Sequence, residues 1–307
     1  MLRYLVRRLL LLAVMLGGLV LLTFVVSNVA PSDPAALAAG PDATRDMIET
    51  VRHEYGLDRS LPVQLLRYVT DLLHADLGRS IQTGDQVADD LARYYPATME
   101  LVLLSMAFSI VVGVPVGMLS AVWRNSFFDH AMRVLAVSGV ALPAFWAALI
   151  LQLVFGVWLG WLPTSGQGGW QHLIMPAVAL GWYFAASLLR LTRSSMLEVL
   201  RSEYIKLARL KGLPGYAVIA IHAFKNALIP VLTLAGINLV VMLNAAVIIE
   251  VIFAWPGIGR LLYEGIFQRD FPLVQGVVME AGIMIVVINL IVDILYAYID
   301  PRIRLTK

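Results

Sequence analysis

Six stretches of the chain are almost free of charge: residues 10–29, 101–123, 134–159, 173–189, 227–249 and 273–292. A helix that crosses a bilayer needs roughly 20 apolar residues, with a usual range of about 17–25. The fourth run is the shortest, at 17 residues, and still falls in that range. A hydrocarbon layer offers no water to backbone N–H and C=O groups. Each run is therefore predicted to be a helix that closes its own hydrogen bonds. Arg3, Arg7 and Arg8 stand before the first run, as basic residues do before a secretory leader. The 20 residues of that run exceed the roughly 7–15 of a leader core, so it is read as a retained helix.

Basic residues orient these helices. With the N-terminus placed inside, Arg3, Arg7, Arg8, Arg124, Arg133, seven residues of 190–225 and three of the tail fall inside. That is fifteen of the 23 Lys and Arg residues, against eight outside, the asymmetry of the positive-inside rule. The expected fold is an all-α integral membrane protein with six transmembrane helices and both termini cytoplasmic. Its expected parts are residues 1–30 with the first helix, an extracytoplasmic segment over 31–96, and a transmembrane domain over 97–307.

Two of the intervening segments carry pattern. In 31–96, Thr44 suits the cap of a short helix that ends before Gly56, and a second helix is predicted from near Pro62, with Leu65, Leu66, Val69, Leu72 and Leu73 on one face. Gly78 and Gly84 punctuate the stretch between this helix and residue 96. In 194–226, Met196–Leu210 has helical periodicity, Pro214 and Gly215 break it, and a second short helix is predicted over Tyr216–Lys225. The two would form a protruding, basic, cytoplasmic knob.

Composition agrees. Of 307 residues, 60% are hydrophobic and 14% charged, against roughly 25% charged in an average soluble domain. The balance excludes an ordinary water-soluble enzyme and a disordered chain. The net charge of +2 does not point to nucleic acid. With no cysteine, disulfide scaffolds, Cys-based zinc sites and thiol catalysis are excluded. None of the four lysines stands in a phosphate-binding G-x-x-x-x-G-K-[ST] loop, and no G-x-S-x-G or H-E-x-x-H pattern occurs. No catalytic residue, metal site or cofactor is expected. The polar groups that draw notice are carboxylates in the apolar helices: Glu250, Glu280 and Asp293. Such groups are costly in lipid and line a path or pair with a cation, so all three are candidate translocation-path residues. Pro115, Pro143, Pro176 and Pro230 are candidate kinks, and Gly113/Gly117 and Gly156/Gly160 are candidate packing seams.

The knob also carries a family likeness. Glu203-Tyr-Ile-Lys-Leu-Ala-Arg-Leu-Lys-Gly-Leu followed by Lys225-Asn-Ala-Leu-Ile-Pro230 resembles the coupling loop of ABC-importer permeases of the dipeptide, oligopeptide, glutathione and nickel group. Against the general motif Glu-Ala-Ala-x-x-x-Gly, Ala208 and Gly212 match, whereas Lys206 and Leu207 depart from it. Pro31-Ser-Asp-Pro34, Tyr55-Gly-Leu-Asp58, Asp76-Leu-Gly78, Ala121-Val-Trp-Arg-Asn125, Leu142-Pro-Ala-Phe145, Gly160-Trp-Leu-Pro-Thr164 and Thr192-Arg-Ser194 also resemble that family. So do the stretch from Glu250 to Gly259 and the ending Asp300-Pro-Arg-Ile303. The resemblance implies the first of two permease subunits in the inner membrane. A second homologous permease, two ATP-binding subunits and an extracytoplasmic substrate-binding protein would complete the importer. It implies coupling to the ATPases through Glu203, Lys206, Ala208, Arg209, Lys211 and Gly212, with ATP hydrolysis in the partners. Dipeptides or oligopeptides are the first expected cargo, with glutathione, D-amino-acid dipeptides, nickel chelates, opines and oligosaccharides as alternatives. An ion-gradient carrier, a membrane-embedded enzyme and a non-transporting scaffold are the competing classes.

Overall fold

The computed structural model describes residues 2–29, 34–39 and 43–299. The ending Asp300-Pro-Arg-Ile303, the first three residues of the Pro31-Ser-Asp-Pro34 motif, and the side chains of Arg3, Arg7, Arg8 and Asp293 lie outside the described residues. Among those described, every element is helical, and the β pairing present is an isolated antiparallel bridge between Arg79 and Gln86. The chain divides into two compact units, one of Met1–Pro96 with Gly257–Leu290, the other of Ala97–Pro256 with Ile291–Lys307.

The first unit begins with α1 (Leu2–Val29), α2 (Pro34–Ala39), α3 (Arg45–Tyr55) and α4 (Leu61–Leu73). Thr44 caps α3 by accepting the Met47 N–H at 3.4 Å, and Gly56 ends it at φ +66°, as the sequence pattern predicts. Pro62 stands in the first turn of α4, where its missing N–H removes no helical bond. Tyr68 of α4 meets α1, with its hydroxyl 3.4 Å from Thr23 Oγ1 and its ring 6.2 Å from that of Phe24. The 36-residue α5 (Val87–Val122) starts in this unit. Its Val87 and Leu91 are buried against Ile258 and Leu261 of α12 (Ile258–Phe267) and Leu273 and Val277 of α13 (Phe271–Ile299). Asp270 starts α13. Its buried carboxylate accepts from Ser80 Oγ at 2.6 Å, from the Gln82 N–H at 3.2 Å and from the Leu273 N–H at 3.2 Å. One side chain thus caps a helix and ties down the Gly78–Asp85 turn.

The second unit is organised by α8 (Gln171–Leu200). Of its most apolar window 61% is buried, against 22% in the helix that runs over Gly215–Ile252. Glycines set the closeness of approach: a Cβ on Gly117 of α5 would stand 2.6 Å from Leu189 O, and one on Gly181 of α8 would stand 2.7 Å from Ser105 O. The Gly113/Gly117 pair is therefore a packing seam, as its spacing predicts. The Gly156/Gly160 pair is not. Gly156 abuts Thr164 in the loop after it, and Gly160 has φ +63° with open space around it.

The apolar runs do not all form single straight helices. Four helices are long and apolar enough to cross a membrane: α5, α8, Gly215–Ile252 and Phe271–Val292 of α13. Run 134–159, expected as one helix, is instead α6 (Phe127–Ala141) and a second helix over Ala144–Trp158, bent by 107°. The second begins as α7 (Ala144–Leu151) and widens to π-helical turns over Gln152–Trp158. Counted as one span, the pair makes a fifth. The break follows from Pro143, which lacks an N–H and holds Leu142 in the extended region at ψ 122°. Pro176 and Pro230 sit inside unbroken helices. In α1 the described apolar stretch is Ala13–Val25, shorter than a span.

The knob also differs from expectation. Met196–Leu210 is two helices: α8 continues to Leu200, Ser202 turns extended at ψ 154°, and α9 covers Glu203–Leu210. The expected short helix Tyr216–Lys225 is the start of a longer one. α10 (Gly215–Ala217) runs through π-helical turns over Val218–Ala223 into α11 (Phe224–Ile252). Nothing between Pro214 and Pro230 breaks a helix, so the chain keeps coiling.

An ion pair joins α5, α6 and α8 within this unit. Asp129 is fully buried and takes two hydrogen bonds from Arg193, Nε to Oδ1 at 2.7 Å and Nη2 to Oδ2 at 2.8 Å. Ser120 Oγ and the Asn125 N–H complete its shell, and the Arg133 guanidinium stands 3.8 Å away. The forked, charge-assisted geometry is the strong form of this interaction. Removing one member of a buried pair costs about 3–5 kcal/mol because the other charge is stranded. Asp129→Ala is expected to lower the thermal unfolding midpoint of the detergent-solubilised chain markedly, and Asp129→Asn less. An unchanged midpoint in Asp129→Ala would deny the pair this role.

Candidate functional site

The α9 segment presents one face inward and one outward. Ile205 and Ala208 are buried against Met196, Val218, Ala223 and Ala227. Ala208 faces the π-helical turns, where a small side chain lets the two segments close. On the outer side Tyr204, Leu207, Leu210 and Tyr216 are exposed, Leu210 to 84%. Around them stand exposed Glu203, Lys206, Arg209 and Lys211, with Lys206 Nζ 2.7 Å from Glu203 Oε1. The charges frame an exposed apolar centre.

Gly212 ends α9. Its φ is +75°, and its N–H donates to Arg209 O at 3.0 Å. A Cβ there would meet open space, so glycine is required by the left-handed backbone and not by crowding within this chain. The Leu213 N–H then reaches back to Ala208 O, and Pro214 starts the next helix. The structure thus brings all six residues expected at the coupling loop into one short element, five of them exposed and Ala208 buried.

The three carboxylates of the apolar helices have different settings. Glu250 of α11 is fully buried and accepts from Thr98 Oγ1 at 2.6 Å. The turn after it is closed by the Trp255 N–H on Glu250 O, and the buried Trp255 indole donates to Ala97 O at 2.8 Å. Ala254 lies in this turn at φ +48°, a conformation few non-glycine residues adopt. Glu280 of α13 is half-buried, and no cation pairs with it among the described residues. Asp293 stands near the end of α13, with its side chain outside the described residues.

Sequence reading passed over the Asp129–Arg193 clamp and the Ser80–Asp270 staple. Their members are 64 and 190 residues apart, and only the folded chain brings them together. A signal existed for the first, an acid in a short basic stretch between two apolar runs.

Comparison with known proteins agrees with this architecture. Residues 113–305 match the family described as the binding-protein-dependent transport system inner membrane component, and residues 1–102 match its N-terminal companion. The glutathione transport system permease protein GsiC of Pectobacterium atrosepticum is 41% identical over 304 residues, 99% of each chain. That of Escherichia coli strain K12 is 40% identical over the same length and coverage. A chain of the MetNI methionine ABC transporter in an inward-facing conformation shares the fold, with a TM-score of 0.57 at 17% identity, over 69% of this chain and 96% of that one. The chain belongs to the inner-membrane component family of binding-protein-dependent transport systems. It is a permease subunit of an ABC importer.

Because the left-handed backbone at Gly212 costs an L-residue about 1–2 kcal/mol, Gly212→Ala should loosen the end of α9 without unfolding the chain. Hydrogen exchange of the Leu213 amide is expected to speed up by about five- to thirtyfold. Unchanged exchange would mean that the turn tolerates a side chain.

Proposed function

We propose that this chain is the first permease subunit of an ATP-driven importer of short peptides, with glutathione and dipeptides as the cargo to test first. The observation that carries the reading is the likeness to named glutathione permeases along 99% of the chain, N-terminal segment included. A second homologous permease completes the pathway, a soluble binding protein delivers cargo from outside, and two ATP-binding subunits supply the energy. The chain crosses the inner membrane six times with both termini cytoplasmic. Run 10–29 and the bent α6–α7 pair join the four long helices. Residues 31–96 face outward and α9 faces the cytoplasm, in keeping with the basic content of 190–225.

Coupling runs through α9. The exposed apolar centre of Tyr204, Leu207 and Leu210 seats on an ATP-binding subunit, and Glu203, Lys206, Arg209 and Lys211 orient it. Ala208 transmits the push, because it is wedged against the start of the helix that becomes α11. A rigid-body change of the paired helices then switches access from one side to the other. Glu280 lines the path: a half-buried carboxylate without a paired cation gains from facing water or cargo.

The test is uptake of labelled glutathione and dipeptides into vesicles that hold the complete complex with its binding protein. ATP-dependent uptake is expected. Uptake that follows a proton gradient without ATP would make a gradient carrier the better reading. A side chain at Gly212 would stand between α9 and its ATPase, so Gly212→Val should lower uptake per ATP hydrolysed by about tenfold while leaving assembly intact. Glu280→Gln is expected to change the uptake rate without loss of complex. Uptake identical to the unmutated protein would remove Glu280 from the path.

A further inference from the structure

α8 carries two arginines one turn apart with opposite fates. Arg193 is spent on Asp129. Arg190 is exposed, and among the described residues no carboxylate stands within ion-pair distance of it. It opens onto a groove of about 500 Å³ shared by α6, α8 and α11. Tyr183, Ser187, Arg190 and Ser194 of α8 form its polar wall, and Val140 and Leu234 stand opposite in the apolar part. The polar residues follow each other at intervals of four, three and four, so they form one stripe about 16 Å long on a single helix face. The other face of α8 is core, with Phe184, Leu188 and Met196 buried.

A stripe of this kind is out of place against lipid. Tyr183 and Ser187 lie within the apolar run 173–189 and Arg190 stands at its inner end, so the stripe enters the layer from the cytoplasmic side; polar groups inside such a helix face a protein interior or a water-filled cavity. A close-packed helix seam in this chain looks different, as at Gly113, Gly117 and Gly181, where small residues bring backbones together. We propose that the Tyr183–Ser187–Arg190–Ser194 face of α8 is a cargo station of the pathway, with Arg190 receiving a carboxylate of the passing peptide. The proposal rests on the peptide-import reading and adds the chemical feature that the path recognises. The guanidinium fork matches a carboxylate in two hydrogen bonds, while the serine hydroxyls and the tyrosine accept or donate to peptide groups along the stripe. At roughly 3.3–3.6 Å per extended residue, a stripe about 16 Å long spans between four and five residues and so has room for a di- or tripeptide. A single exposed cation binds weakly enough to let the cargo leave, which a transport path requires.

The chain has no cysteine of its own, which makes the test direct. Ser187→Cys and Ser194→Cys are introduced singly, and the complete complex is treated with small anionic and cationic methanethiosulfonate reagents. If the face borders an aqueous path with Arg190 in it, both cysteines react. The anionic reagent should then be favoured by about tenfold, and Arg190→Gln should abolish that preference. Added peptide is expected to slow the reaction, and a peptide amidated at its carboxylates to slow it less. Arg190→Lys should keep the charge preference and lose the distinction between acid and amide, because an ammonium lacks the fork. Three results overturn the proposal. The cysteines react in the isolated chain but not in the complex, which places the face against the partner permease. They react with no charge preference. Or the preference survives Arg190→Gln. If the complex imports no peptide while the charge preference holds, the peptide reading fails, and the station stands as one for anionic cargo of another kind.

Discussion

Within the long apolar helices polar groups must find partners without the help of bulk water, and much of the structure results from that. Backbone groups meet the constraint by coiling, so among the described residues the named elements are helices. Side chains meet it in buried clusters: Asp129 with Arg193, Ser120 and Asn125, Asp270 with Ser80 and Gln82, Glu250 with Thr98. Each cluster lies where a helix starts or ends. Those are the places where the helical ladder leaves donors and acceptors over, and a carboxylate can take several at once. The apolar surfaces carry less information. Val111, Ile237 and Ile248 are exposed in the isolated chain and suit either a lipid tail or a partner helix.

Some features depart from this rule. α9 leaves an apolar centre of Tyr204, Leu207 and Leu210 uncovered outside the core. Its buried face joins the cluster of Ala121 at the end of α5, Met196 near the end of α8 and Val218, Ala223 and Ala227 at the start of the Gly215–Ile252 helix, so α9 packs into a cluster shared by three long helices. Arg190 and Glu280 are exceptions of the other sort: charged groups in apolar helices with no opposite charge paired to them among the described residues.

The motifs by which the chain resembles its family sit largely at the turns. Asn125 has φ +62° in the turn that feeds Asp129 a backbone donor. Leu142 and Pro143 are the break between α6 and α7. Arg193 is the clamp's fork, and Trp255 anchors the end of α11 to Ala97.

By itself the sequence determined the class of protein: long uncharged runs dictate helices in lipid. It also determined the capped helix after Thr44 and the Gly113/Gly117 seam. These are local properties, set by spacing and by the backbone needs of single residues. The tertiary structure alone decided which proline breaks a helix. Pro143 does, whereas Pro176 and Pro230 are carried through inside continuous helices. It also decided that Tyr216–Lys225 is the root of a spanning helix and not a separate piece. Most of all it decided which charges are spent and which are free. Arg190 and Arg193 read alike in sequence, and only the position of Asp129 on another helix separates them, since pairing across many residues depends on how helices cross and not on their order along the chain.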